Sequence, residues 1–88
     1  MHSALFVATI PKQEDVWETF LNRVSSKTKS IASFARLSEN VWLVDLTKSP
    51  APLGYLISFA HEGSISYGIL PFERAPQWLP DGFDPKPF

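Results

Sequence analysis

The stretch Tyr55 to Leu70, YLISFAHEGSISYGIL, decides the fold. It supports two readings. As two strands, Tyr55, Ile57 and Phe59 share one face, and a His61-Glu62-Gly63 loop places glycine where a type I turn with a following bulge needs positive φ. The return strand then brings Ile65, Tyr67 and Ile69 to the same face, with the small residues Ser58, Ala60, Ser64, Ser66 and Gly68 on the other. As a helix, Ser49 caps, Pro50 takes the first turn, Gly54, Ser58, His61 and Glu62 form a polar face, and Gly63 stops the chain. Tyr, Ile, Ser, Phe and Gly are weak helix formers and, glycine and serine apart, good strand formers, so composition favours the hairpin.

The flanking segments are plainer. ALFVATI, residues 4–10, crowds β-branched and aromatic residues before Pro11 and is apolar on both faces, so it is expected as a central strand. From Gln13 the period changes. Val16, Trp17, Phe20, Leu21 and Val24 form one stripe, predicting a helix over about 13–27. Acidic Glu14, Asp15 and Glu18 lie early and basic Arg23, Lys27 and Lys29 late, as the helix dipole prefers. SIASFARL and VWLVDL, joined by Ser38-Glu39-Asn40, read as a hairpin.

The expected order is therefore strand, helix, then four strands: an α+β domain with one helix on a curved antiparallel sheet, β-α-β-β-β-β. That order resembles the cystatin-like roll. The resemblance extends to element order alone, because the Gln-x-Val-x-Gly loop of those inhibitors is absent and their protease-blocking role is not implied. With residues 50–62 helical, the order becomes β-α-β-β-α-β, a ferredoxin-like plait.

With 88 residues, the chain has room for one core. Residues 1–72 are expected to form the domain. Residues 73–88, ERAPQWLPDGFDPKPF, hold four of the eight prolines, which fix φ and remove donors, so this is an arm and not a helix or central strand. Its rings, Trp78, Phe83 and Phe88, are expected to pack over an open end of the core or to dock on a partner subunit.

Composition excludes several classes. No cysteine means no disulfide framework, thiolate metal site or Cys nucleophile. A net charge of -1, near balance in both halves, argues against nucleic acid. The four glycines are scattered, so no phosphate loop exists, and GSIS lacks the second glycine of a nucleophile elbow. His2 and His61 are too few, and Asp81 with Asp84 too isolated, for a metal site, and no cofactor is expected. ALFVATI is too short to span a membrane and lacks signal-peptide flanks, leaving cytoplasmic residence as the expectation.

Three features could carry chemistry. His61 beside Glu62 could be a general base, though adjacent turn residues usually point apart. Asp45 in VWLVDL could be a buried acid partnered by Arg36, though alternation points it outward. A pocket between helix and sheet, lined by Phe34, Trp42, Tyr55 and Tyr67 with Asp45 or His61 as polar anchor, could hold a small molecule or substrate. The leading expectation is different. Trp17, Trp42, Tyr55, Tyr67, Trp78, Phe83 and Phe88 exceed what one helix on one sheet hides, pointing to a non-enzymatic interaction protein acting as a homodimer or on another protein.

Overall fold

The computed structural model describes residues 1–31, 34–86 and 88. Ala32 and Ser33, within the first run of the expected hairpin, lie outside the described residues, as does Pro87 of the arm. The elements are β1 (Ser3–Ala8), α1 (Glu14–Thr28), β2 (Phe34–Ser38), β3 (Val41–Asp45), α2 (Ala51–Glu62) and β4 (Tyr67–Phe72). They form an α+β fold with two helices on an open, four-stranded antiparallel sheet in the order β2-β3-β1-β4. Two βαβ units interleave, so that β3 separates β1 from β2 and β1 separates β3 from β4.

The hairpin expected from Tyr55 onward is corrected. Residues 51–62 coil, and β4 pairs with β1 instead of folding back on a neighbour. The cystatin-like order gives way to β-α-β-β-α-β, the element order of the plait. Burial is the physical reason. Pro52, Leu56, Phe59 and Ala60, spaced four, three and one apart, are the buried residues of α2 and form one stripe. Two prolines shape its start, with Pro50 at the N-cap and Pro52 in the first turn. Gly54, Ser58, His61 and Glu62 face solvent. Tertiary burial overrides the strand preference of the individual residues.

The exit from α2 needs small residues. Gly63 has φ -90, so the left-handed position is not the glycine but Ser64, at φ 54. A Cβ on Gly63 would meet Ile65 Cδ1 at 3.3 Å and Val16 Cγ1 at 3.4 Å, because the chain passes close over α1 there. The Ile65 amide donates to the Ala60 carbonyl at 2.8 Å and closes the turn into β4.

Helix α1 and strand β1 match expectation within a residue or two, and β1 is central, pairing with β3 and β4. Ala4, Phe6 and Ala8 of β1 and Trp42 and Val44 of β3 point under the helices, where Trp17, Phe20 and Val24 of α1 meet Leu56, Phe59 and Ala60 of α2. Trp42 is the hub: Phe6, Trp17 and Phe20 all meet its ring edge-on, with centroids 6.0, 6.2 and 5.8 Å away. Trp17 and Trp42 are thus core residues and not surplus surface.

Candidate functional site

Strand alternation places the other half of each strand on the opposite side. Ser3, Leu5 and Val7 of β1, Leu37 of β2, Val41, Leu43 and Asp45 of β3, and Gly68, Leu70 and Phe72 of β4 share a face that neither helix covers. It is almost wholly apolar, and its one carboxylate, Asp45, stands at an end. Val7 is 40% exposed and Leu70 55%.

The arm crosses this face. Pro76, Gln77 and Trp78 sit over Leu5, Leu37, Val41, Leu43 and Phe72 and enclose a groove of about 350 Å³. Trp78 remains 41% exposed and meets Phe83 edge-on at 5.4 Å. Farther on, the Phe88 amide donates to the Arg36 carbonyl at 3.2 Å, at the rim of β2. The Arg36 guanidinium lies 5.4 Å from the Trp42 ring centre and 4.7 Å from that of Phe88, and donates to the Glu39 carbonyl at 2.6 Å. Burial pulls its pKa below the usual guanidinium value, against the Glu39 carboxylate, which raises it.

The expected pocket residues do not converge. Phe34 and Trp42 do share a cleft of about 200 Å³ with Arg36, Leu21, Val24, Ser25 and Thr28, beside α1. Tyr55 instead stacks on Phe59 along α2, with centroids 6.0 Å apart. Tyr67 stacks on Phe6 at 5.0 Å, and its hydroxyl is 2.9 Å from His61 Nε2. The second helix is the cause, because it fills the space that a single-helix roll would leave open.

Asp45 does not pair with Arg36. Its Oδ1 accepts from the Thr47 hydroxyl at 2.6 Å and the Thr47 amide at 3.0 Å, closing the turn after β3. Those bonds, the hydroxyl's above all, hold the carboxyl below its usual range, with His2 and Lys48 adding to them against partial desolvation. Arg36 sits opposite Trp42 in the ladder, where it is committed to the two rings.

His61 and Glu62 part company as adjacent residues do. Glu62 forms an ion pair with Arg23, whose guanidinium lies 4.4 Å from the Phe59 ring centre, while His61 turns to Tyr67. Trp42, close to the basic residues at the end of α1, is 2% exposed and so offers no ring face on which a nucleic-acid base could stack. Among the described residues no group of three His, Cys, Asp or Glu stands together. Among the described residues, no helix is long and apolar enough to cross a membrane.

The expected sites omitted the face itself. Its signal is in the sequence: ALFVATI and VWLVDL are apolar on both sides, while the helices supply cover for one. No family model, no curated protein and no solved structure matches this chain.

Proposed function

We propose that this chain is a non-enzymatic binding protein, and that its working surface is the helix-free face of the sheet together with the arm laid across it. The supporting observation is the helix-free face, with Val7 and Leu70 exposed and a central strand that is apolar on both sides. Water against such a surface is unfavourable by about 25 cal/mol per Å², so a partner that covers it gains that contribution. Among the described residues, those that line the groove under the arm offer neither a nucleophile nor a base, and the Thr47–Asp45 pair at the end of the face closes a turn, which is why a binding role is preferred to an enzymatic one.

The test is binding of the dye ANS to the folded chain, diluted until the solution mass is that of one copy. Fluorescence should rise with the native chain and fall by more than half in a Val7→Lys/Leu70→Glu double variant with unchanged far-UV circular dichroism. Equal, weak signals from both proteins would refute the reading.

A small-ligand role is the second reading, favoured by the groove of about 350 Å³ beneath Trp78. Its lining suits a neutral apolar molecule, with the Gln77 amide as its polar group. Neither Asp45 nor His61 lines it.

A further inference from the structure

We infer that residues 73–88 are a strap that closes reversibly over the helix-free face, and that the Arg36 guanidinium is the catch on which Phe88 fastens it. This rests on the reading of that face as the working surface and concerns its regulation.

The arm holds both sides of one edge strand. Leu37 of β2 points to the helix-free side, where Pro76, Gln77 and Trp78 lie over it. Its neighbour Arg36 points to the other side, because it stands opposite the buried Trp42 in the ladder. Phe88 nonetheless places its ring 4.7 Å from the Arg36 guanidinium and its amide on the Arg36 carbonyl. The arm therefore crosses the face, rounds the β2 edge and reaches the helix side. Pro85 and Lys86 lie along that edge, beside Phe34, Ala35 and Leu37.

Connectivity does not force this path. Three strand spacings of about 4.8 Å, roughly 14 Å in all, separate β4 from β2, whereas residues 73–88 could extend to about 50 Å. A segment with that much slack stays in water unless its tip is held. Arg36 supplies the hold. A guanidinium is planar and weakly hydrated, so it stacks on rings where an ammonium would keep its water. Trp42 backs this one at 5.4 Å, the Glu39 carbonyl accepts one N–H at 2.6 Å, and Nε is buried without a hydrogen-bond partner. The group is fixed and partly dry before Phe88 arrives, which strengthens its attraction to a second ring.

The rest of the strap is held lightly. Trp78 is 41% exposed, Phe83 47% and Phe88 65%, and the Trp78 segment bridges the groove of about 350 Å³ without filling it. Among the described residues, the Phe88 amide makes the one main-chain hydrogen bond from the arm to the sheet. Few buried contacts mean a small opening free energy, as in other lids. The four prolines keep the released arm extended, so reclosing has little chain to order. A partner of the face must displace the strap, and its apparent affinity is reduced by the fraction of chains that are open.

The experiment is trypsin cleavage of the full chain after Arg74, read by mass as loss of residues 75–88, beside ANS binding in the same dilute solution. Cleavage follows the open fraction when the strap opens and closes faster than it is cut. Phe88→Ala should speed the cut about threefold, the factor that one exposed cation–π contact carries, and should raise the ANS signal with it at unchanged far-UV circular dichroism. Phe88→Trp, a better ring for a cation, should be cut no faster than the native chain. Arg36→Lys keeps the charge and loses the plane, so it should match Phe88→Ala, and the double variant should add nothing further. Unchanged cleavage of Phe88→Ala, or cleavage of Phe88→Trp as fast as that of Phe88→Ala, refutes the catch. Additive effects in the double variant refute Arg36 as the partner of Phe88. A faster cut with no change in ANS upholds the strap and its catch and refutes the apolar working surface beneath them.

Discussion

Gly54 offers a direct measurement of whether residues 51–62 are held as a helix. It lies within α2, faces solvent, and a Cβ built there meets nothing within 4 Å. Packing therefore does not enter, and a substitution reads backbone preference alone. In a helix interior, Gly→Ala gains about 0.8–1 kcal/mol, since glycine has the most backbone freedom to lose. Valine, restricted at χ1 by the preceding turn, should recover less, by roughly 0.6 kcal/mol. The expected order of stability is Ala above Val above Gly. For a domain of this size, 1 kcal/mol raises Tm by about 4–8 °C.

Gly68 is the control. It lies in β4 and a Cβ there also meets open space, but the strand prefers the β-branched residue. The ranking of Ala and Val should reverse between the two positions. Urea titrations of the five proteins at low micromolar concentration, followed by far-UV circular dichroism, measure both series. A more stable Gly54→Val than Gly54→Ala, or a loss of stability with alanine, would mean that this segment is extended and the two-helix layer wrong.

Three further substitutions probe the turn, the charge and the core. Ser64→Gly should stabilise by about 0.5–1 kcal/mol, because Ser64 bears the left-handed strain that glycine avoids; a loss of that size in thermal melts would place the strain elsewhere. Asp45 titrates below the usual carboxylate range in the folded chain, so its contribution to stability is present above that range and lost as pH falls through the lowered native value. Asp45→Asn should therefore flatten the acid limb of a stability-versus-pH curve, and a parallel shift at all pH values would show that its protonation is not coupled to folding. Trp42→Ala removes the ring on which Phe6, Trp17 and Phe20 converge and should cost about 3–5 kcal/mol, leaving little or no folded protein at 25 °C. A cooperative melt near that of the native chain would contradict the assignment of Trp42 to the centre of the core.

What could be read from the sequence, and what could not, follows from how far each element depends on distant partners. Helix α1 satisfies one period only: Trp17, Phe20 and Val24 share a stripe and no alternation competes with it. Strand β1 is equally plain, since its apolar run admits no polar face. Residues 55–60 are different, because Phe59 belongs both to the strand face with Tyr55 and Ile57 and to the helix stripe with Pro52, Leu56 and Ala60. Local propensity chose the strand. The choice in the folded chain is made by α1 and β1, which offer a trough that a second helix fills and a hairpin would leave half empty.

The same element relocates the candidate site. With one helix, the space under the sheet is the natural pocket, and Tyr55, Tyr67, His61 and Asp45 are its natural lining. With two, that space is occupied by Leu56, Phe59 and Ala60, and the polar groups disperse to Thr47, Tyr67 and Arg23. The excess of apolar residues that suggested a partner then has a different bearer. Trp17 and Trp42 are consumed by the core, while Leu5, Val7, Leu43 and Leu70 are left on the side with no helix. Counting helices against apolar strand faces, and not counting rings, is therefore the step that locates the apolar face without a helix. Two crossovers on one side of a sheet whose central strand is apolar on both sides leave the other face without a helix, and here Pro76, Gln77 and Trp78 of the arm lie over part of it.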